Sequence, residues 1–371
     1  METNRTTSNT ELDLKLERIR NLLVDSDLDA ILLRRTDNFS WATCGADPHI
    51  NTADSMGIAS LLVTKTDHFL VANNIEATRL MQEEALGEQS WKLKVSPWFE
   101  GDDQLSKLTS GMKIGADTSF PQAKNLSHEI ASLRSQLTPE EGSRYRELGK
   151  LCAQGMRQAV DAVKPGMSEY EIAGSLAQSV ESKGVQAVVN LIATDERIFS
   201  YRHPLPTSKQ LQNYAMLILC GRKWGLICSV TRLVHFGSLP DEVRHKVEAV
   251  ARIDTDMIAV TRPGNTLGDV FSQAQSAYAA AGFPDEWKLH HQGGSAGYAP
   301  REVTATPGST DPILLGQAFA WNPSITGAKS EDTILVGEGS NEIITEMADW
   351  PSIEVQVGEQ VIKRPAILEK E

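Results

Sequence analysis

The chain has 371 residues, long for one domain and comfortable for two. Hydrophobic residues make up 40%, charged residues 23% and aromatic residues 6%, which suits a globular protein with a sizeable core and excludes a disordered chain. Its 49 acids outnumber 36 bases for a net charge of −13, with no Lys/Arg block to track a phosphate backbone, so a nucleic acid partner is excluded.

The polar start, METNRTTSNTELDLKLERIR, lacks the apolar run of a signal peptide, and no later stretch approaches the roughly 18 apolar residues of a membrane span. A cytoplasmic protein with no membrane partner is expected. Cys44, Cys152, Cys220 and Cys228 form no CxxC pair and read as small buried residues in a reducing compartment. Leu12, Leu16, Ile19 and Leu23 repeat at helical spacing and lead into the strand DAILL. Two strands about the turn KTDH, a helix after NN, and the short strand in MKIGADTSF complete an α/β domain over residues 1–137.

A second domain, residues 138–371, opens at LTPEEG, where Thr138, Pro139 and Glu141 predict a capping box before a long helix. Pro165 and Gly166 end that helix, and Ser168 with Glu171 caps the next. The same phrase, basic-Pro-Gly-x-Ser/Thr, returns at RPGNT, with Thr266 lying 98 residues after Ser168. Any helix–turn–helix can use such punctuation, so the phrase alone leaves an internal repeat and coincidence equally open. The segment 217–232, LILCGRKWGLICSVTR, reads as a hairpin without a single acid.

Taken together, the repeated helix–PG–helix halves, the smaller domain in front, SYRHPLPT, the glycine hairpin, HHQGG and EDTILV resemble the creatinase/prolidase/methionine aminopeptidase superfamily. The resemblance implies an α/β (α+β) protein: a C-terminal pita-bread domain with an internal pseudo-two-fold repeat, preceded by a creatinase-type N-terminal domain. In the metallopeptidase branch two divalent metals are held by two hairpin Asp, a His in HxxG, a Glu before Pro and a Glu in E-D-T. Here the hairpin positions fall on Ser229 and on Ile218, or Leu219 with another anchor; the Glu before Pro is Asn322, and only the His and Glu331 remain. The lost charge implies no metal and no other cofactor.

Metal-free creatinase is then the nearer comparison within the superfamily. His203 resembles its proton-transfer His, and Arg301 follows His290 by the eleven residues that separate its active-site His from its carboxylate-binding Arg, which favours His290 over His291. At the hairpin's end Thr231 and Arg232 stand where creatinase has Glu-Arg. The resemblance implies a metal-independent C–N hydrolase of a small carboxylate-bearing molecule. His203, His290 and Glu331 would be catalytic, with Arg301, Asn322, Tyr298, Arg232 and His291 binding substrate. It also implies a homodimer, with Arg34 or Arg35 where creatinase brings an Arg across the subunit interface. Tyr201, Tyr298 and Trp321 line the pocket or belong to the core. The alternatives are an Xaa-Pro-type aminopeptidase or dipeptidase with a metal site rebuilt from His290, Glu331 and His235, a lyase on the same scaffold, and an inactive binding module.

Overall fold

Leu12, Leu16, Ile19 and Leu23 share one buried face of helix α1, Asn9–Asp25. In the computed structural model, which describes residues 9–358 and 360–371, this helix belongs to the first of two units, Met1–Glu140 and Glu141–Glu371. Its sheet is built from β1 Ala30–Arg35, β2 Met56–Thr64, β3 His68–Asn73, β4 Lys92–Ser96, β5 Ile114–Ala116 and β6 Lys124–Asn125, in the order β4-β3-β2-β1-β5-β6. Helices α2 Thr36–Ala42, α3 Ala77–Gln82, α4 Asp103–Thr109 and α5 Ser127–Ser135 complete the unit. Ala30–Leu33 of β1 and Ala59–Val63 of β2 are buried on both faces of the sheet.

The second unit carries the repeat. Helices α6 Pro139–Ala162 and α7 Glu169–Glu181 are followed by β7 Gln186–Thr194, the short α8 Glu196–Ser200, and the hairpin β8 Tyr214–Lys223 and β9 Leu226–Phe236. Helices α9 Asp241–Val260 and α10 Leu267–Ala280 then repeat the α6–α7 arrangement. Two reciprocal capping boxes form, the expected one of Ser168 with Glu171 and its counterpart of Thr266 with Asp269. The likeness extends beyond the caps. Glu169 N–H donates to Lys209 O and Leu211 N–H to Met167 O; Leu267 N–H donates to Asp311 O and Ile313 N–H to Asn265 O. The same pair of backbone bonds ties a later segment to the start of each second helix, which punctuation by Pro-Gly does not require, so the repeat is structural.

The remaining strands are β10 Gly293–Ala296, β11 Val303–Thr304, β12 Ala318–Trp321, β13 Ser324–Ile325, β14 Ala328–Lys329, β15 Asp332–Leu335, β16 Glu342–Ile343, β17 Ser352–Val357, β18 Gln360–Pro365 and β19 Leu368–Lys370. They give one sheet ordered β19-β9-β8-β7, another ordered β11-β10-β12-β15-β16, and two small hairpins. The hairpin turn falls at Trp224 and Gly225, both at positive φ, the conformation a two-residue turn needs to match strand twist. The two sheets meet where Thr231 N–H donates to Glu331 O and Ser229 N–H to Thr333 Oγ1, a seam between β9 and β15. Core residues of α9 and α10, among them Val250, Ile253, Val270 and Phe271, pack with Phe319, Trp321 and Ile334 and fix that seam, each large apolar side chain contributing roughly 1.5–3 kcal/mol on burial. All four cysteines are buried. Among the described residues no helix is long and apolar enough to cross a membrane.

Candidate active site

The β8–β9 register pairs Ile218 with Thr231 and Cys220 with Ser229. Directly opposed residues, and those two apart, share a sheet face, so Ile218, Cys220, Ser229 and Thr231 line one face while Leu219 and Val230 line the other. Of the two hairpin anchors, Ile218 is therefore the one beside Ser229. This acid-free face meets the seam: Arg301 Nη1 donates to Ser229 Oγ at 3.3 Å, and Cys220 Sγ lies 3.3 Å from the same oxygen. Burial, reinforced by the nearby Glu331 charge, pushes the Cys220 thiol up to about 11, which leaves it an inert thiol.

Glu331 sits at the centre of the seam, 3% exposed. Thr231 Oγ1 donates to its Oε2 at 2.6 Å, Lys329 Nζ lies 2.8 Å from Oε2, and Arg301 Nη2 donates to Oε1 at 3.0 Å. Burial alone would raise the carboxyl, but the Lys329 and Arg301 charges and these hydrogen bonds outweigh it and hold the value at about 2. Glu331 is thus an anion fixed between two cations. Lys329 is a site residue that the sequence reading missed; its position two residues before Glu331, the same-face spacing of an extended chain, was the available signal.

Two segments bring the histidines together. In HHQGG, a Cβ at Gly293 would run into Ala320 O and one at Gly294 into Val303 O, so these glycines let β10 seat between β12 and β11. Gln292, fully buried, donates from Nε2 to His290 O at 2.7 Å and accepts from Tyr278 Oη at 2.9 Å, which pins the backbone at the histidine pair. On the other segment, Arg202 Nη2 donates to Glu286 Oε2 at 2.5 Å and to Thr326 Oγ1 at 3.1 Å, while Glu286 also accepts from Thr326 N–H and Oγ1. Glu169, capped into α7, accepts from Thr207 and Arg197 on the far side of the same loop.

The result is a cluster of three imidazoles. His290 Nε2 and His203 Nε2 are 3.0 Å apart, and the His290 and His291 rings stack with centroids 4.5 Å apart. One ring nitrogen from each of His203, His290 and His291 can be chosen so that all three lie within 4.8 Å of one another. Burial and then the positive field of Lys329 hold His290 down at about 2; burial and then Arg301 hold His291 at about 4; His203 is lowered by burial and Lys329. All three are neutral near pH 7, donors and acceptors rather than cations.

The other expected residues divide. Asn322, 2% exposed, donates its N–H to Gln292 O, and its side-chain Oδ1 has no hydrogen-bond partner. Arg232 pairs with Asp332 and donates to Thr345 O and Thr231 O within a buried ionic network. Tyr298 is buried, its Oη donating to Glu141, and Trp321 is core, donating to Thr261 and stacking on Phe319. Tyr201 is exposed beneath the Arg197 guanidinium. His235 lies by Tyr214 and Gly237 O, so it does not join His290, and Glu331 is consumed by its cations; the rebuilt metal set expected from those residues gives way to the three imidazoles. In the first unit, Arg34 pairs with Asp102 and Arg35 with Asp37.

A dinuclear centre needs bridging carboxylates to offset two dications. Ile218, Ser229 and Asn322 carry no charge, and the remaining carboxylate, Glu331, is already neutralised by Lys329 and Arg301. The residues present do not fit such a centre.

A model of metallopeptidase family M24 matches residues 143–338, which contain the three histidines, Arg301 and Glu331. A Staphylococcus epidermidis protein described as an uncharacterized peptidase is 22% identical over 358 residues, spanning 90% of this chain and 99% of that one. The prolidase of Pyrococcus horikoshii superposes with a TM-score of 0.78 at 19% identity, covering 90% of this chain and 98% of its own. An Xaa-Pro dipeptidase from Bacillus anthracis also gives 0.78, at 16% identity, covering 97% and 100%. These findings overturn the metal-independent, creatinase-like C–N hydrolase: the matching family is one of metallopeptidases, and the relatives carry peptidase names. The α/β architecture with its pita-bread domain agrees with these neighbours. Matched over more than half its length, the chain belongs to metallopeptidase family M24, a family of hydrolases.

Proposed function

We propose that the protein is an Xaa-Pro-type peptidase, a dipeptidase or aminopeptidase, working on a centre rebuilt around imidazoles. The observation that carries this reading is the gathering of His203, His290 and His291 within 4.8 Å, inside the region that matches the peptidase family. Amide hydrolysis needs a proton taken from water and another delivered to the leaving amine. His203, His290 and His291 present neutral ring nitrogens that can hold the attacking water among them. Arg301, whose Nε has no hydrogen-bond partner, and Lys329 give the pocket the positive field that suits a substrate carboxylate. Asn322 Oδ1 is an open acceptor for an amide or ammonium N–H.

The test is release of proline from a panel of Xaa-Pro dipeptides and Xaa-Pro-Yaa tripeptides by the full chain, assayed with Zn2+, Co2+ and Mn2+ in turn. Cleavage at Xaa-Pro bonds well above matched non-proline peptides is the expected outcome; no cleavage with any metal overturns the reading in favour of a binding module. A homodimer is part of the same proposal, and a monomer by light scattering at micromolar concentration would remove it.

A further inference from the structure

Three imidazoles do not gather for their own sake. Buried His290 gives up hydration while His203 and His291 stay exposed, and none gains an opposite charge from the other two. Here the fold holds them together by two independent devices: the Arg202–Glu286–Thr326 clamp joins the His203 loop to the segment leading into His290, and buried Gln292 pins the backbone of the histidine pair. His290 is only 9% exposed, yet its Nδ1 has no hydrogen-bond partner, and the buried Asn322 Oδ1 nearby along the β10–β12 pairing has none either. A buried polar atom left unmatched destabilises the fold unless a ligand engages the site.

We infer that His203, His290 and His291 form a site for a single divalent ion of borderline softness, of the Zn2+ or Co2+ class, replacing the carboxylate-bridged pair. Zinc–imidazole bonds of about 2.0–2.1 Å put tetrahedral donors roughly 3.3 Å apart. The present spread, from 3.0 Å for one pair to at most 4.8 Å, lies close to that separation. Nitrogen donors without a carboxylate favour Zn2+, Co2+, Ni2+ or Cu2+ over Mn2+, Mg2+ or Ca2+, which prefer oxygen. Three protein donors leave a fourth position for water, whose acidity a bound metal raises. The Lys329 ammonium and Arg301 guanidinium share one carboxylate, Glu331, so a residual positive charge opposes any dication in the cluster. Lys329 thereby sets the affinity from outside the ligand set.

This inference goes beyond the peptidase reading and stands without it, because metal binding is measured with no substrate present. The experiment is calorimetric titration of chelator-treated full-length protein with Zn2+, with the visible spectrum of the Co2+ form as a second readout of the donor set. The expected result is one ion per chain and the intense spectrum of four-coordinate Co2+. His203→Ala, His290→Ala and His291→Ala should each weaken Zn2+ binding by at least about 100-fold, beyond the 10–100-fold typical of residues that merely support a ligand. Lys329→Met should strengthen it, a direction that general damage to the fold would not produce. Circular dichroism identifies any variant that fails to fold, and for such a position His→Gln is the replacement. No binding to the wild-type protein, two ions per chain, or histidine variants that fold and bind as the wild type does would each overturn the site.

Discussion

Thr231 Oγ1 donates to Glu331 Oε2 at 2.6 Å across the seam between the two sheets, so a hydroxyl from the acid-free hairpin now steadies the one acid left in the site. Where the metal enzymes of the superfamily bring carboxylates from both sides, this chain brings a hydroxyl from one side and an anion held by Lys329 and Arg301 from the other. Glu331 is the keystone of the charge balance, and its removal should be costly.

Glu331→Gln leaves two buried cations without their counter-ion. The expected loss is about 3–5 kcal/mol, the scale for breaking a buried ion pair from one side, read as a lowered midpoint in urea unfolding. A change under about 1 kcal/mol would show that the two cations find other partners.

The pH dependence of stability should fall in two windows when measured in the presence of chelator. His290 and His291 have folded values near 2 and 4, below the roughly 6.5 of the unfolded chain, so from about pH 6.5 down to 4 the unfolded state binds more protons and stability falls as pH falls. Glu331, near 2 folded and about 4.3 unfolded, contributes stability above pH 4.3 that is lost between there and pH 2. Thermal midpoints of the wild type should drop as pH falls through both windows, and His290→Gln should lessen the drop in both, because its linkage runs from about pH 6.5 to 2 while His291 acts only in the upper one.

Arg364, 1% exposed on β18, spans Asp254 of α9 at 2.7 Å and Asp332 of β15 at 2.7 Å, while Arg232 takes the other oxygen of Asp332 at 2.9 Å. Arg364→Met should leave the buried Asp254 carboxylate without a cation and Asp332 with Arg232 alone, and cost at least about 3 kcal/mol. Because Asp332 directly follows Glu331, the folded fraction should also lose Zn2+ affinity; unchanged affinity would make the network purely a brace for the C-terminal hairpin.

The clamp on the His203 loop gives a milder case. Arg202→Gln should lower Zn2+ affinity by about 10-fold, the supporting-residue scale, with Arg202→Lys recovering part of it. The Arg202–Glu286 pair is only partly buried, so the thermal midpoint should move by a few degrees at most. A large fall in stability without an affinity change would reverse the assignment.

Local rules were legible in the sequence because they act over a few residues. The Ser168–Glu171 cap, the buried stripe of α1 and the Trp224–Gly225 turn each follow from neighbours within one helical turn or one hairpin, and each is formed. The absence of acids along residues 217–232 was also plain, since charge is a property of composition. Which of Ile218 and Leu219 faces the site was not, because a one-residue slip exchanges the faces of a strand and only the pairing of Ile218 with Thr231 decides it. The eleven-residue spacing favoured His290 over His291, yet both enter the cluster, because the stacked pair meets His203 across an 87-residue separation. The fate of Glu331 was decided last, by Lys329, Arg301 and Thr231 converging from three segments of the chain. Electrostatics depends on distance in space, and the tertiary structure alone sets those distances.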